Sequence, residues 1–217
     1  MLEYLCYMNN RTSGNSIVVM AKHWQAGPVK TRLAASIGDT EARRIYRKMA
    51  SDFWQRLQND NWQRHLWSAA GDSTQELGEW LSHYDSLSTQ QGRDLGQRML
   101  HALQATPYKN WIAVSGTDAP DLHPDYISEL CSHLSENDVA IAPTFDGGYA
   151  FMAMHKVHPQ LFDGMDWSTE HVLQQTIAAA DSCNLKVHLG PLLNDLDTIE
   201  DLKIFEQRGF DWARISS

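Results

Sequence analysis

Apolar residues run almost unbroken from Ser16 to Ala21 (SIVVMA), a short β-branched stretch that predicts a central strand buried on both faces. A loop containing Gly27 and Pro28 follows, and from Thr31 the pattern turns helical. Between Thr40 and Leu57 the apolar positions Ala42, Ile45, Tyr46, Met49, Phe53 and Leu57 recur every three or four residues, predicting one long amphipathic helix. Residues 64–69 (RHLWSA) predict a strand, 74–82 a short helix, 94–105 a further helix, and 111–115 (WIAVS) another strand. Residues 124–134 predict a helix with proline in its first turn, and 139–142 (VAIA) the next strand. The segment YAFMAMH (149–155) predicts a strand joined to its predecessor through a link too short for a helix. Residues 168–180 predict a helix capped by serine or threonine, 185–189 a strand, and 198–208 a closing helix whose Thr198 and Asp201 have capping-box spacing. This alternation predicts an α/β fold of three layers, with a mostly parallel sheet covered by helices on both faces.

Length and composition narrow the picture without changing it. A chain of 217 residues accommodates one sizeable α/β domain, here expected over 16–217 behind a flexible lead-in at 1–15. The 42% hydrophobic content supplies a core. A formal charge of -9 argues against a general nucleic-acid or anionic-membrane binder, because clustered Lys and Arg hold such partners. Cys6, Cys131 and Cys183 are odd in number and lack C-x-x-C spacing, which indicates neither a disulfide framework nor a cysteine zinc site and suits the cytoplasm. No apolar run approaches the ~20 residues a membrane helix needs.

Ligands of open α/β sheets bind beyond the carboxyl ends of the strands, so the segments that follow apolar strands are the candidates for chemistry. In 22–34 (KHWQAGPVKTRLA, beginning with Lys22) the cations Lys22, Lys30 and Arg32 stand near a predicted helix N-terminus, a combination suited to phosphate or to an ordinary solvated turn. In 115–122 (SGTDAPDL) Asp118 ends a buried strand, where it serves a divalent cation or a turn cap. Asp195 and Asp197 in 195–202 (DLDTIEDL) share a cation or cap the last helix. Asp146, Gly147 and Gly148 allow either close approach to a ligand or a plain hairpin turn. Ten histidines include no H-E-x-x-H pair, and neither G-x-S-x-G nor G-x-G-x-x-G occurs. Among the tryptophans, Trp24 and Trp167 lie in polar loops beside candidate segments.

Taken in order, MAKHWQAGPVKTRLA, GRDLGQRM (92–99), SGTDAPDL, APTFDGGYAF, FDGMDWSTEHVLQQT (162–176) and NDLDTIEDL (194–202) resemble the bacterial glycosyltransferase-A-like transferases of the radical-SAM/selenodomain-associated transferase 1 type. The resemblance spans roughly 16–205 and implies the nucleotide-diphospho-sugar transferase fold. It implies nucleotide binding at Lys22, Gly27, Lys30, Thr31, Arg32, Gly116 and Thr117, with Asp118, Lys30 and Arg32 carrying catalysis. Asp118 with Asp195 and Asp197 would hold Mg²⁺ or Mn²⁺, while Asp146, Gly147, Gly148, Trp167, Ser168, Thr169 and Glu170 would face the acceptor. The opening loop lacks the glycine-rich L-x-A-G-x-G-x-R form of sugar-nucleotidyltransferases, and Ala119 stands where many relatives have cysteine. The expected function is a metal-dependent transfer from a nucleotide-sugar or nucleoside triphosphate donor to a small-molecule or peptide acceptor. Glycosyl and nucleotidyl transfer both remain open, as does a non-catalytic domain that binds a nucleotide or partner.

Overall fold

Alternation along the first strand divides the core between two faces. In the computed structural model, which describes residues 14–212, Ile17, Val19 and Ala21 of β1 (Ser16–Ala21) point to one side and Val18 to the other. The first side packs against α2 (Asp39–Arg56), α3 (Thr74–Trp80) and α5 (Pro124–Ser132) through Phe53, Leu77 and Ile127. On the second, α4 (Leu95–Ala105) and α6 (Val172–Ser182) bring Met99, Ala102, Leu103 and Ala180. A strand covered twice has no polar face, which is why SIVVMA reads as a continuous apolar run.

The sheet also contains β2 (Gln63–Ser68), β3 (Ser86–Thr89), β4 (Ile112–Ser115), β5 (Val139–Pro143), β6 (Tyr149–Met154) and β7 (Val187–Leu189). Their order is β3-β2-β1-β4-β6-β5-β7. Every pairing is parallel except those of β6, which runs antiparallel to both β4 and β5. The tight 144–148 turn dictates that reversal, because so short a link can only form a hairpin. The expected three-layer α/β/α architecture with a mostly parallel sheet is therefore present.

Three local differences from the sequence pattern have clear causes. The helix entered at Thr31 is a separate seven-residue α1 (Thr31–Ile37), set off from α2 by Gly38 at φ 85°. The edge strand β3 carries the short polar sequence SLST, which has no apolar run to announce it. At the start of α6, Ser168 takes a left-handed φ of 67° and Thr169 Oγ1 donates to Asp166 O, so 168–171 is a turn and the helix begins at Val172. The closing helix α7 (Ile199–Gln207) has the predicted capping box, with Thr198 and Asp201 satisfying each other's backbone N–H. Residues 1–13 of the expected lead-in lie outside the described residues, whereas Gly14 O accepts from the N–H groups of Lys109 and Asn110. Among the described residues no helix is long and apolar enough to cross a membrane.

Candidate active site

β1 sends the chain to β2 on one side while β4 pairs on its other side, which makes the carboxyl ends of β1 and β4 a topological switch point. A cleft of about 820 Å³ opens there. Asp118, Asp146, Asp195, Asp197 and Arg32 form its charged wall, and Met20, Leu95, Met99 and Trp167 form an apolar wall. Three loops from distant parts of the sequence carry the acids. Leu196 N donates to Asp118 O at 3.0 Å, tying the loop after β4 to the one before α7.

Lys30 sits beneath these acids rather than beside them. Its ammonium lies 2.8 Å from Asp118 Oδ1 and 2.7 Å from Asp197 Oδ1, and its side chain is 4% exposed against 51% for Asp118. Burial alone would lower its pKa, but the carboxylates of Asp118 and Asp197 outweigh burial and hold it above the ordinary lysine value. Burial likewise favours neutral Asp197, yet Lys30 and then Arg32 keep that carboxyl below its usual range. Arg32 bonds the second oxygen of Asp197 and is itself raised by that charge. Asp195 has the opposite balance: burial, then the negative charges of Asp146 and Asp197, push it up to about 7.

The turn between β5 and β6 is held together by its own hydrogen bonds. Asp146 Oδ1 accepts from Thr144 Oγ1 at 2.6 Å and from Gly148 N at 3.0 Å. Gly147, at φ 86°, lies so close to the 168–171 turn that a Cβ would fall 2.2 Å from Glu170 O. Its own carbonyl accepts from Leu173 N at 2.9 Å. Gly96 has a similar reason in α4, where a Cβ would lie 2.6 Å from the Trp167 ring. The glycines of GRDLGQRM and FDGGYAF thus let the walls close on one another.

Of the residues expected from sequence, Arg32, Gly116, Asp118, Asp146, Gly148, Trp167, Ser168, Thr169, Glu170, Asp195 and Asp197 line the cleft. Lys22, Gly27, Lys30, Thr31, Thr117 and Gly147 do not. Lys22 Nζ turns back to Pro28 O at 3.0 Å, and Thr117 Oγ1 is buried 3.5 Å from Tyr46 Oη. Thr31 is exposed at the first position of the seven-residue α1. Trp24 lies outside the cleft with the Arg47 guanidinium 4.7 Å above its ring. Met20, Leu95 and Met99 were not anticipated in the site. The signal available was their place in the motifs MAKHWQAGPVKTRLA and GRDLGQRM, at the end of β1 and in the first two turns of α4.

Comparison with known proteins shows the family and the fold. The family described as "Uncharacterized protein conserved in bacteria (DUF2064)" matches residues 53–169, and the chain belongs to it. A protein of Desulfovibrio desulfuricans G20, provisionally named a nucleotide-diphospho-sugar transferase, is 31% identical with a TM-score of 0.84, the alignment covering 93% of this chain and 90% of that one. A nucleotidyl transferase from Methanothermobacter thermautotroptrophicus is 14% identical with a TM-score of 0.62, over 89% of this chain and 96% of that one. Rv0371c of Mycobacterium tuberculosis H37Rv, solved in complex with manganese, is 14% identical with a TM-score of 0.53, over 90% and 99% respectively. The last two show the fold alone. No curated protein matches the chain. Family and fold place it in the nucleotide-diphospho-sugar transferase superfamily.

Proposed function

We propose that this member of the DUF2064 family is a cytoplasmic transferase that takes a nucleotide-sugar or nucleoside triphosphate as donor, with Mg²⁺ or Mn²⁺ as cofactor. The observation that carries this reading is the charged wall of the cleft, where Lys30 fixes Asp118 and Asp197 from below while Arg32 and the exposed face of Asp118 meet the opening.

The donor atoms fit a hard divalent cation. Asp197 has one oxygen engaged by Lys30 and the other by Arg32. Asp118 retains a carboxylate oxygen outside its ion pair, and Asp195 stands among the negative charges of Asp146 and Asp197, which Lys30 only partly offsets. An ion of the magnesium type takes one or two carboxylates and completes its shell from substrate phosphates and water. Asp118 and Asp195 would hold it, with Asp197 orienting the cations around them. Bound there, the ion would neutralise charge on the diphosphate. The manganese in the Mycobacterium tuberculosis neighbour supports the same choice.

The protein's own groups supply positioning and electrostatics. Arg32 presents a planar fork suited to phosphate oxygens at the cleft wall. Lys30, almost closed off from the cleft, acts through the carboxylates it fixes. The apolar wall at Met20, Leu95, Met99 and Trp167 takes the uncharged part of a ligand and excludes water. Asp146, Gly148 and the 167–170 segment bound the acceptor side. Attack at the α-phosphorus would release pyrophosphate, and attack at an anomeric carbon would release a nucleoside diphosphate. Product analysis with a panel of triphosphates and nucleotide-sugars tests the reading. Accumulation of either product identifies the transfer; release from no donor would replace it with a non-catalytic nucleotide- or partner-binding role.

A further inference from the structure

A second concavity, of about 470 Å³, lies where the loop carrying Asp118 continues into Pro120 and Asp121. Arg56 from the last turn of α2 and Arg208 from the end of α7 enter it, together with Tyr126, Leu192 and Phe210. The two arginines are not equivalent. Arg208 makes a bidentate pair with Asp121 at 2.7 and 2.6 Å. Arg56 donates from Nη2 to Pro120 O at 3.0 Å, while its Nε is closed from solvent with no acceptor.

No carboxylate of the described residues lies within ion-pair distance of Arg56. Its electrostatic neighbours are already taken: both oxygens of Asp52 are held by Lys48 at 2.8 Å, and Asp121 belongs to Arg208. Burial accordingly lowers the pKa of Arg56, the reverse of what a partner would do. Partly buried charges normally find a counter-ion, and this chain, with a formal charge of -9, has acids in excess. His123 also lines the pocket, its Nδ1 accepting from Tyr126 N at 3.2 Å, and the remaining wall is apolar and open, with Leu192 52% exposed beside Phe210 and Pro191. Tyr126 does not compete for a ligand through its hydroxyl, which donates to Pro191 O at 2.6 Å.

We infer that this pocket is a second binding site, separate from the cleft, for a small organic anion whose phosphate or carboxylate meets Arg56 and whose compact apolar body rests on Leu192 and Phe210. Its volume lies within the range of small-ligand sites, roughly 300–1,000 Å³. One charge-assisted contact and one apolar wall give modest affinity and a preference for aryl or alkyl anions over bare phosphate.

Calorimetric titration of the full chain with phenyl phosphate, benzoate and inorganic phosphate tests the site. At least one aryl anion should bind more tightly than inorganic phosphate, and which of the two does so identifies the head group. That affinity should fall about tenfold in Arg56→Gln, fall by a smaller factor in Leu192→Ala, and stay unchanged in Asp118→Ala. Leu192 is exposed enough for its variant to fold, so the result does not hang on Arg56→Gln alone. Absence of aryl-anion binding, equal binding by Arg56→Gln, or loss in Asp118→Ala would overturn the assignment, the last by placing the anion in the main cleft.

Discussion

Lys30 and Arg56 are both cations withdrawn from water, one under the cleft and one at the edge of the second pocket, and their surroundings are opposite. Lys30 has a carboxylate on each side within 2.8 Å, whereas Arg56 has a carbonyl and no acid. The first arrangement is closed: the charge is satisfied inside the protein and serves to hold two loops in register. The second is open, with a guanidinium whose counter-charge must come from outside. His65 shows a third outcome. Fully within the sheet, with Nδ1 2.7 Å from Ser86 Oγ and Nε2 without a partner, it is driven down to about 4 by burial, an effect Asp85 only partly opposes. Pairing, exposure to a ligand and neutralisation are three answers to the same desolvation cost.

The largest expected effect comes from opening the closed arrangement on its functional side. Asp118→Ala should lower turnover by roughly 10²–10³-fold, the scale of losing one preorganised electrostatic contact, while leaving aryl-anion binding in the second pocket intact. Steady-state kinetics with whichever donor is turned over, beside the calorimetric titration, measures both. Equal activity in this variant would remove Asp118 from the site.

Removing the cation should chiefly affect stability. Lys30→Met leaves Asp118 and Asp197 facing each other without their shared partner, and a cost of about 3 kcal/mol is expected in denaturant unfolding at neutral pH. Adding Asp197→Asn should recover part of that loss, because the surplus negative charge is then reduced. If the double variant is as unstable as the sum of the two single changes, Lys30 acts by packing rather than by charge.

Much of this was legible in the chain. Apolar runs at 16–21 and 139–142 marked buried strands, and the acids at 118, 195 and 197 were recognisable because each follows a strand or precedes a helix. The cation at position 30 was visible, but its burial was not: its partner Asp197 lies 167 residues away, and only the folded loops decide which cation faces the cleft. Of the apolar wall only Trp167 was legible, because Met20 and Met99 read as ordinary core positions in their own elements. The second pocket draws on residues near 56, 120, 126, 192 and 210, with no local motif among them. Local pattern reveals which residue types are present at an edge, while the crossing of loops decides which are paired.

A smaller effect follows from His65. Its folded value of about 4 lies below the ordinary 6.5, so the unfolded chain binds the proton first as pH falls. The associated stability is fully present above about pH 6.5 and is lost as pH drops toward about 4, reaching roughly 2 kcal/mol near pH 5. Urea unfolding of the parent and His65→Gln should therefore show a steeper acid decline in the parent through that window. Parallel pH profiles would mean that the ring is protonated within the fold.

The smallest change sharpens the contrast most directly. Arg56→Met removes a cation of similar reach to Lys30, yet the same pairing logic predicts a stability change within about 1 kcal/mol of zero. The variant loses one hydrogen bond to Pro120 O, and it also relieves a half-buried charge and a closed-off Nε that have no counterpart in the fold. With these terms opposed, denaturant midpoints of the parent and the variant should nearly coincide when no anion is present. The aryl anion that the parent binds should then raise the midpoint of the parent and not that of Arg56→Met, because only a ligand that binds the folded state shifts the equilibrium. A loss as large as that of Lys30→Met, in the absence of any ligand, would show that Arg56 is a closed strut like Lys30 and that the difference between the two cavities is one of shape alone.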